Sequence, residues 1–163
     1  MKFIKQVSTN FLRLVILLLA VIVLALCIFA LPSMWRGGSA EFPMASNAIL
    51  MIVIGLYITA VPFFVALWQA IKLLGYIDKN TAFSDLSVQA LKNIKYCSML
   101  ISVVYVAFVP LLFPIADADD APGLIIMGAV IACAPITVAV FAAVLQKLLQ
   151  SVIEIKSEND LTV

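Results

Sequence analysis

The sequence predicts an all-α membrane protein with four transmembrane helices, arranged as two antiparallel hairpins with both termini in the cytoplasm. Four segments contain no Asp, Glu, Lys or Arg: residues 14–35, 42–71, 96–116 and 121–146. At about 1.5 Å per residue, each is long enough as a helix to cross a hydrocarbon core of roughly 30 Å. Nine of the ten cations fall in the N-terminus, the middle loop or the C-terminus, and only Arg36 lies in a loop on the other side. This is the positive-inside pattern.

Composition supports the same fold class. Hydrophobic residues make up 65% of the chain and charged residues only 12%, with a mean hydropathy of +1.19. Soluble domains contain roughly 45–50% apolar residues, so the excess here is expected to face a lipid bilayer. The net charge is +1, and the cations are distributed by membrane topology instead of being gathered on one face. We therefore predict no direct binding of nucleic acid. The distribution of cations predicts that the N-terminus and the C-terminus lie on the inner side of the membrane.

The first helix is predicted at about residues 9–34. Its apolar run exceeds the 7–15 residues of a signal-peptide core, and Pro32-Ser33-Met34 is not a cleavage site of the small-x-small type, which favours a retained helix. A turn is expected at Gly37-Gly38-Ser39. Because this helix consists mainly of Leu, Val and Ile, it is expected to face lipid.

The second helix is predicted at about residues 47–76, with a kink at Pro62. The cytoplasmic loop 77–95 that follows is the most polar part of the chain. Ser84 is a candidate N-cap for the third helix, which is predicted at about 84–114 and therefore begins inside this loop.

The fourth helix is predicted at about residues 123–150 and is followed by a cytoplasmic tail, 151–163. The helix is rich in small residues, which let helix backbones approach closely in membranes. The relevant spacings are Gly128-xxx-Ala132 and Ala139-xxx-Ala143. We therefore expect the fourth helix at the centre of the bundle. The whole chain, 1–163, forms one integral membrane domain.

The chain lacks the residues that membrane catalysis and ion coupling usually need. It contains no His, and no ionisable carboxylate or amine lies within the uncharged segments. Its cysteines, Cys27, Cys97 and Cys133, show no metal-ligand spacing. We therefore predict no enzymatic activity, no metal and no cofactor. For the polar residues inside the spans, interhelical hydrogen bonding is favoured over a pathway for a polar solute.

The middle loop and the C-terminus carry a resemblance to a known family. The segments concerned are Ala70-Ile71-Lys72-Leu73-Leu74, Gly75-Tyr76-Ile77-Asp78, Ala82-Phe83-Ser84, Ala90-Leu91-Lys92-Asn93-Ile94 and Glu158-Asn159-Asp160-Leu161-Thr162-Val163. In these the chain resembles the YoaS-like family of small four-span bacterial membrane proteins (domain of unknown function 2975), over essentially its whole length. The resemblance implies a protein of the bacterial plasma membrane. It also implies a DNA-binding partner, because genes of this family often neighbour a small helix-turn-helix regulator. No catalytic residues are known for this family, so the resemblance assigns none to this chain.

We therefore predict an interaction or regulatory protein that binds a cytoplasmic partner, with a helix-turn-helix regulator as the candidate, through its middle loop and tail. The candidate partner surface comprises Phe83, Ser84, Lys92, Asn159, Asp160, Leu161 and Thr162. One alternative is a subunit of a transporter or channel that needs a homo-oligomer to form its pathway. Another is that the loop only connects two helices and that the tail frays and binds nothing.

Overall fold

The computed structural model is almost entirely helical. It describes residues 2–161 and, among side chains, those of residues 8–160. Its elements are α1 (Lys2–Ala25), a π-helical segment (Leu26–Ala30), α2 (Leu31–Glu41), a 3-10 turn (Pro43–Ala45), α3 (Ser46–Asp78), α4 (Asp85–Leu111), α5 (Phe113–Ala118) and α6 (Gly123–Leu161).

Within these residues the structure contains four helices that are long and apolar enough to cross a membrane. We refer to them as the first to fourth spans: Ser8–Glu41, Pro43–Asp78, Asp85–Ala118 and Gly123–Asp160. The predicted fold class, an all-α membrane protein with four long apolar helices, is confirmed. The fourth helix, however, continues as α6 to Leu161, so the described part of the predicted tail is a helical extension of the fourth span.

The spans run back and forth between two ends of the molecule. At one end, α1 meets the connection between α3 and α4, where Arg13 and Asp78 form a salt bridge of 2.8 Å. We call this the basic end, because every lysine whose side chain is described lies on this side. The opposite end, which we call the acidic end, holds Glu41 and the turn that contains Asp119 and Asp120.

The four spans pack in a row, in chain order. The first span packs on α3, α3 packs on α4, and α4 packs along α6. The predicted central position of the fourth helix is therefore wrong, because α4 lies between α3 and α6. Small residues determine how closely a helix can approach a neighbour, but they do not determine how many neighbours it has.

The small residues of α6 do make the close contact for which they were singled out. Ala132, Ala139 and Ala142 are buried, and the side chain of Leu112 fills the space where a Cβ atom on Gly128 would lie. A second close approach joins α3 to α4, where the ring of Phe108 fills the space beside Gly55.

The turn predicted at Gly37-Gly38-Ser39 is wrong. The helix α2 runs through both glycines to Glu41, and the chain reverses at Phe42 and the 3-10 turn. Neither glycine has a positive φ. Gly38 instead allows a close approach, since a Cβ atom there would lie 3.0 Å from the Ile49 Cδ1 atom at the start of α3.

The π-helical segment in the first span has an identifiable cause. The Leu31 N–H donates to the Leu26 carbonyl, five residues back, and Pro32 has no N–H to donate. The Cys27 carbonyl therefore loses the partners it would have in a regular helix. It accepts a hydrogen bond from the Tyr57 hydroxyl on α3 instead, at 2.7 Å. A neighbouring helix thus satisfies a backbone group that lipid could not.

Replacing Tyr57 by phenylalanine is expected to lower the free energy of unfolding by about 1–2 kcal/mol, because it leaves the Cys27 carbonyl without a partner. Thermal unfolding in detergent measures this loss. Tyr105→Phe is the matched control, since the structure gives the Tyr105 hydroxyl no hydrogen bond and its loss should change little. Equal losses of stability in the two variants would contradict the hydrogen bond between the Tyr57 hydroxyl and the Cys27 carbonyl.

The other polar groups inside the spans only partly follow the expectation of interhelical bonding. The Thr59, Ser102 and Thr137 hydroxyls donate to carbonyls of their own helices, at 2.7–3.0 Å. Between helices, the Lys95 ammonium donates to Gln146 Oε1 at 3.1 Å. Short hydroxyl side chains reach their own preceding turn more easily than another helix, which explains the difference.

Candidate partner surface at the basic end

The connection between α3 and α4 is a well-defined helix ending. Asn80 adopts a left-handed conformation with a φ of 56°. The Thr81 N–H then donates to the Tyr76 carbonyl at 2.9 Å, and the Asn80 N–H donates to the Ile77 carbonyl at 3.2 Å. These two bonds form a Schellman motif, and Asn is one of the few residues other than Gly that tolerates its left-handed position. The motif fixes the direction in which residues 82–84 leave α3.

Ser84 is the N-cap residue of α4 by its backbone, which is extended, with a φ of −141° and a ψ of 158°. Its carbonyl accepts from the Ser87 and Val88 N–H groups, at 3.0 and 3.2 Å. Its side chain makes no capping hydrogen bond, however, so the prediction of Ser84 as the N-cap holds for the backbone only.

Buried polar atoms without a hydrogen-bond partner collect at this end of the molecule. In the part of the chain whose side chains are described, they are Arg13 Nε, Ser84 Oγ and Ser87 Oγ. Buried polar groups are nearly always paired, so each such atom calls for an explanation. Within the described residues, buried polar atoms without a partner are therefore confined to the basic end.

An apolar groove of about 360 Å³ lies beside the loop, between the ends of α3 and α6. Phe83 forms one wall, and Leu148 and Val152 of α6 form the other. We call it the Phe83 groove. The Phe83 side chain is 60% exposed, although it belongs to the most polar segment of the chain. Ile155, three residues after Val152 on the same face of α6, is 66% exposed and extends the apolar surface beyond the groove.

The structure places the described residues of the candidate partner surface in three parts of the fold: the loop, α4 and the end of α6. Phe83 and Ser84 lie in the loop beside α6, whereas Lys92 lies on α4, on the helical face that continues to Met99 and Val103 and away from the Phe83 groove. Two further residues, Asn159 and Asp160, lie in the last described turn of α6 and are exposed. Of the remaining two, Leu161 is helical but its side chain is outside the described part, and Thr162 lies outside the described residues.

The antiparallel pairing of α4 with α6 brings the loop and the end of α6 to the same level. Lys95 bonds to Gln146. The segment from Ser84 to Lys95 has the same number of residues as the segment from Gln146 to Ser157. Because the two antiparallel helices rise equally per residue, Ser84 and Ser157 lie at about the same height along the helix axes. The end of α6 therefore extends at least as far as the loop, and the contact of Phe83 with α6 that the groove shows is at Leu148 and Val152.

Sequence reasoning missed two polar contacts that organise this end. The Arg13–Asp78 salt bridge fixes α1 to the end of α3, and the Lys95–Gln146 hydrogen bond fixes α4 to α6. Each pairs polar residues at or near the ends of different uncharged segments, on the side that the sequence predicts to be cytoplasmic. That shared side is a signal that could have suggested the pairs.

The basic end exposes apolar side chains on the loop and on α6. No group of three or more His, Cys, Asp or Glu side chains able to hold a metal ion occurs among the described residues. What the basic end exposes is an aromatic ring and an apolar stripe on a helix, whereas the Ser84 and Ser87 hydroxyls are buried.

Comparison with known proteins gives a consistent result. The family model described as "Protein of unknown function (DUF2975)" matches residues 33–163. The chain is 53% identical to the "Uncharacterized membrane protein YoaS" of Bacillus subtilis (strain 168) over 158 residues, which covers 97% of this chain and 99% of that protein. No solved structure matches the chain.

Proposed function

The chain belongs to the DUF2975 family of the YoaS protein, as its loop and C-terminal motifs had indicated, and we propose that it is an interaction protein of the bacterial plasma membrane that binds a cytoplasmic regulator at its basic end. The proposal includes the orientation of the chain. Positive residues are retained on the cytoplasmic side of membranes, so the basic end faces the cytoplasm with both termini.

The Phe83 groove is the observation that carries this proposal. Phe83 lies in the loop between two spans and exposes most of its ring, and Ile155 extends the same apolar surface on a helix that continues beyond the groove. Exposed apolar surface rimmed by polar residues is typical of protein-binding sites. A groove of this kind, bordered by helix ends, suits an amphipathic helix of a partner.

The charges near the groove indicate what kind of partner would fit. The last turns of α6 carry Glu154, Glu158 and Asp160, with Lys156 as the described cation among them. Such a surface favours a partner with a basic face. A small helix-turn-helix regulator, which the family resemblance suggests, has such a face because it binds the phosphates of DNA.

The alternative, a transporter or channel subunit, finds less support. A cavity of about 290 Å³ lies between the first three spans, but its walls are almost entirely apolar, and the Thr59 hydroxyl within it is bonded to its own helix. A path for a polar solute needs polar groups along its length. Several copies of the chain could form such a path together, but no specific observation favours a homo-oligomer of this kind.

Replacing Phe83 by aspartate is expected to abolish capture of a cytoplasmic protein by the full-length protein, because the aspartate would place a charge in the apolar groove. The measurement is cross-linking in the native host, followed by purification in mild detergent and identification of the captured proteins. Ile155→Asp and deletion of residues 159–163 should reduce capture of the same protein at least tenfold.

Met44→Asp is the matched control, because Met44 is 99% exposed in the connection at the acidic end. This variant should capture the partner as the unmodified protein does. The proposal fails if the intact protein captures no specific cytoplasmic protein, or if Phe83→Asp and Met44→Asp capture the same set.

A further inference from the structure

A second groove lies between α4 and α6, lined by residues of both helices that do not border the Phe83 groove. Its volume is about 340 Å³, and its walls include Met99, Val103, Val140 and Ala143. Ser102 also lines it, but its hydroxyl donates to the Ser98 carbonyl. The walls are therefore effectively apolar. The one charged side chain lining the groove is Lys95, towards the basic end.

The Lys95 ammonium has hydrogen-bonding capacity to spare. It donates to Gln146 Oε1 at 3.1 Å and lies 5.0 Å from the centre of the Tyr96 ring. Neither partner carries a negative charge, and no carboxylate lies within salt-bridge distance of Lys95 in the described part of the chain. The side chain is half-buried. An anion beside it would accept a charge-assisted hydrogen bond, which is stronger than the bond to the neutral amide of Gln146.

Two further lysines flank the same end of the groove. Lys92 lies one turn before Lys95 on α4, and Lys147 lies one turn after Ala143 on α6. Both are exposed, and neither forms an ion pair within the described residues. Tyr96 is also exposed at this level, and exposed tyrosines mark the headgroup region of a membrane. The cations therefore lie at headgroup depth, and the groove extends from them into the hydrocarbon region.

We propose that this groove binds an anionic phospholipid of the leaflet at the basic end. The headgroup phosphate accepts a hydrogen bond from the Lys95 ammonium, and Lys92 and Lys147 flank it. One acyl chain follows the groove between α4 and α6 past Val103 and Val140. Charge complementarity selects an anionic lipid. A headgroup whose phosphate is not neutralised by a cationic group of its own is attracted most strongly by the three lysines. The site is separate from the Phe83 groove and does not depend on the proposed partner.

Lys95→Gln is expected to weaken binding of phosphatidylglycerol by about fivefold, since each lysine near an anionic lipid contributes about that factor. The full-length protein is purified in detergent and titrated with phosphatidylglycerol or with phosphatidylcholine of the same acyl chains, and native mass spectrometry counts the bound lipids. The unmodified protein should retain phosphatidylglycerol preferentially. Lys79→Gln is the matched control, because Lys79 is exposed at the same end but does not border the groove, and it should leave binding unchanged.

A second pair of variants tests the acyl chain without changing charge. Val140→Phe should fill part of the groove and weaken phosphatidylglycerol binding, whereas Val138→Phe, on a face of α6 away from the groove, should not. Thermal unfolding of each variant checks that the fold is intact. The inference is overturned if the unmodified protein shows no preference for phosphatidylglycerol, or if Lys79→Gln weakens binding as much as Lys95→Gln. It is equally overturned if the deacylated headgroup, glycerophosphoglycerol, displaces the lipid at equal concentration, since the site would then recognise a phosphate alone.

Discussion

Replacing Gly55 by leucine is expected to lower the free energy of unfolding by about 3 kcal/mol, because overpacking of a close helix contact forces neighbouring groups apart. Gly55 is buried in α3, and the ring of Phe108 on α4 lies where a Cβ atom would be. The ring cannot move away freely, since it stacks on Tyr105 with ring centres 5.7 Å apart. The second and third spans would have to separate. Thermal or denaturant unfolding in detergent measures the loss.

Two other glycines provide matched controls for this substitution. Nothing lies within 4 Å of a Cβ atom built on Gly37, and this residue is inside α2, so Gly37→Leu should leave stability unchanged or raise it. Gly128→Leu should fall between the two, because the atom it meets is the end of the flexible Leu112 side chain. If Gly55→Leu unfolds at the same temperature as Gly37→Leu, the packing of α3 against α4 is not as the structure has it.

Reporter fusions are expected to give opposite results at the two ends of the molecule. Fusions after Met44 and Asp119, in the connections at the acidic end, should report an external location. Fusions after Thr81 and Val163 should report a cytoplasmic location. The reason is that cations resist translocation across the membrane, and nearly all of them flank the basic end. Paired alkaline phosphatase and fluorescent protein fusions measure this directly, since each is active on one side only.

Met44 is the fusion site because it lies in the connection itself, whereas Gly38, where the sequence predicted the turn, lies inside α2. A cytoplasmic signal at Asp119 would contradict the orientation, since it requires one of the last two spans not to cross. An external signal at Thr81 would reverse the whole arrangement and place the Phe83 groove outside the cell.

Several local features could be predicted from the sequence because their causes are local. The exposed position of Phe83 and the N-cap position of Ser84 before α4 follow from a short polar segment that ends in a serine before an apolar run. The hydroxyl of Ser84, in contrast, caps nothing, and its burial depends on what packs around the loop. The π-helical segment was not predicted either. Pro32 indicates a disturbed helix, but nothing in the first span shows that Tyr57 lies opposite the freed carbonyl.

The number of spans, their positions and the sorting of charges to two ends were determined by the sequence alone. They depend only on the length of uncharged runs and on the cost of placing charges in lipid, which each segment experiences independently of the others. The order in which the helices pack was decided by the tertiary structure. In water, an apolar stripe shows which face of a helix is buried, but in a membrane both the lipid and the protein interior are apolar, and the stripe disappears. The central position of α4, the pairing of Lys95 with Gln146 and the two grooves beside α6 therefore follow from how side chains of separate spans fit together.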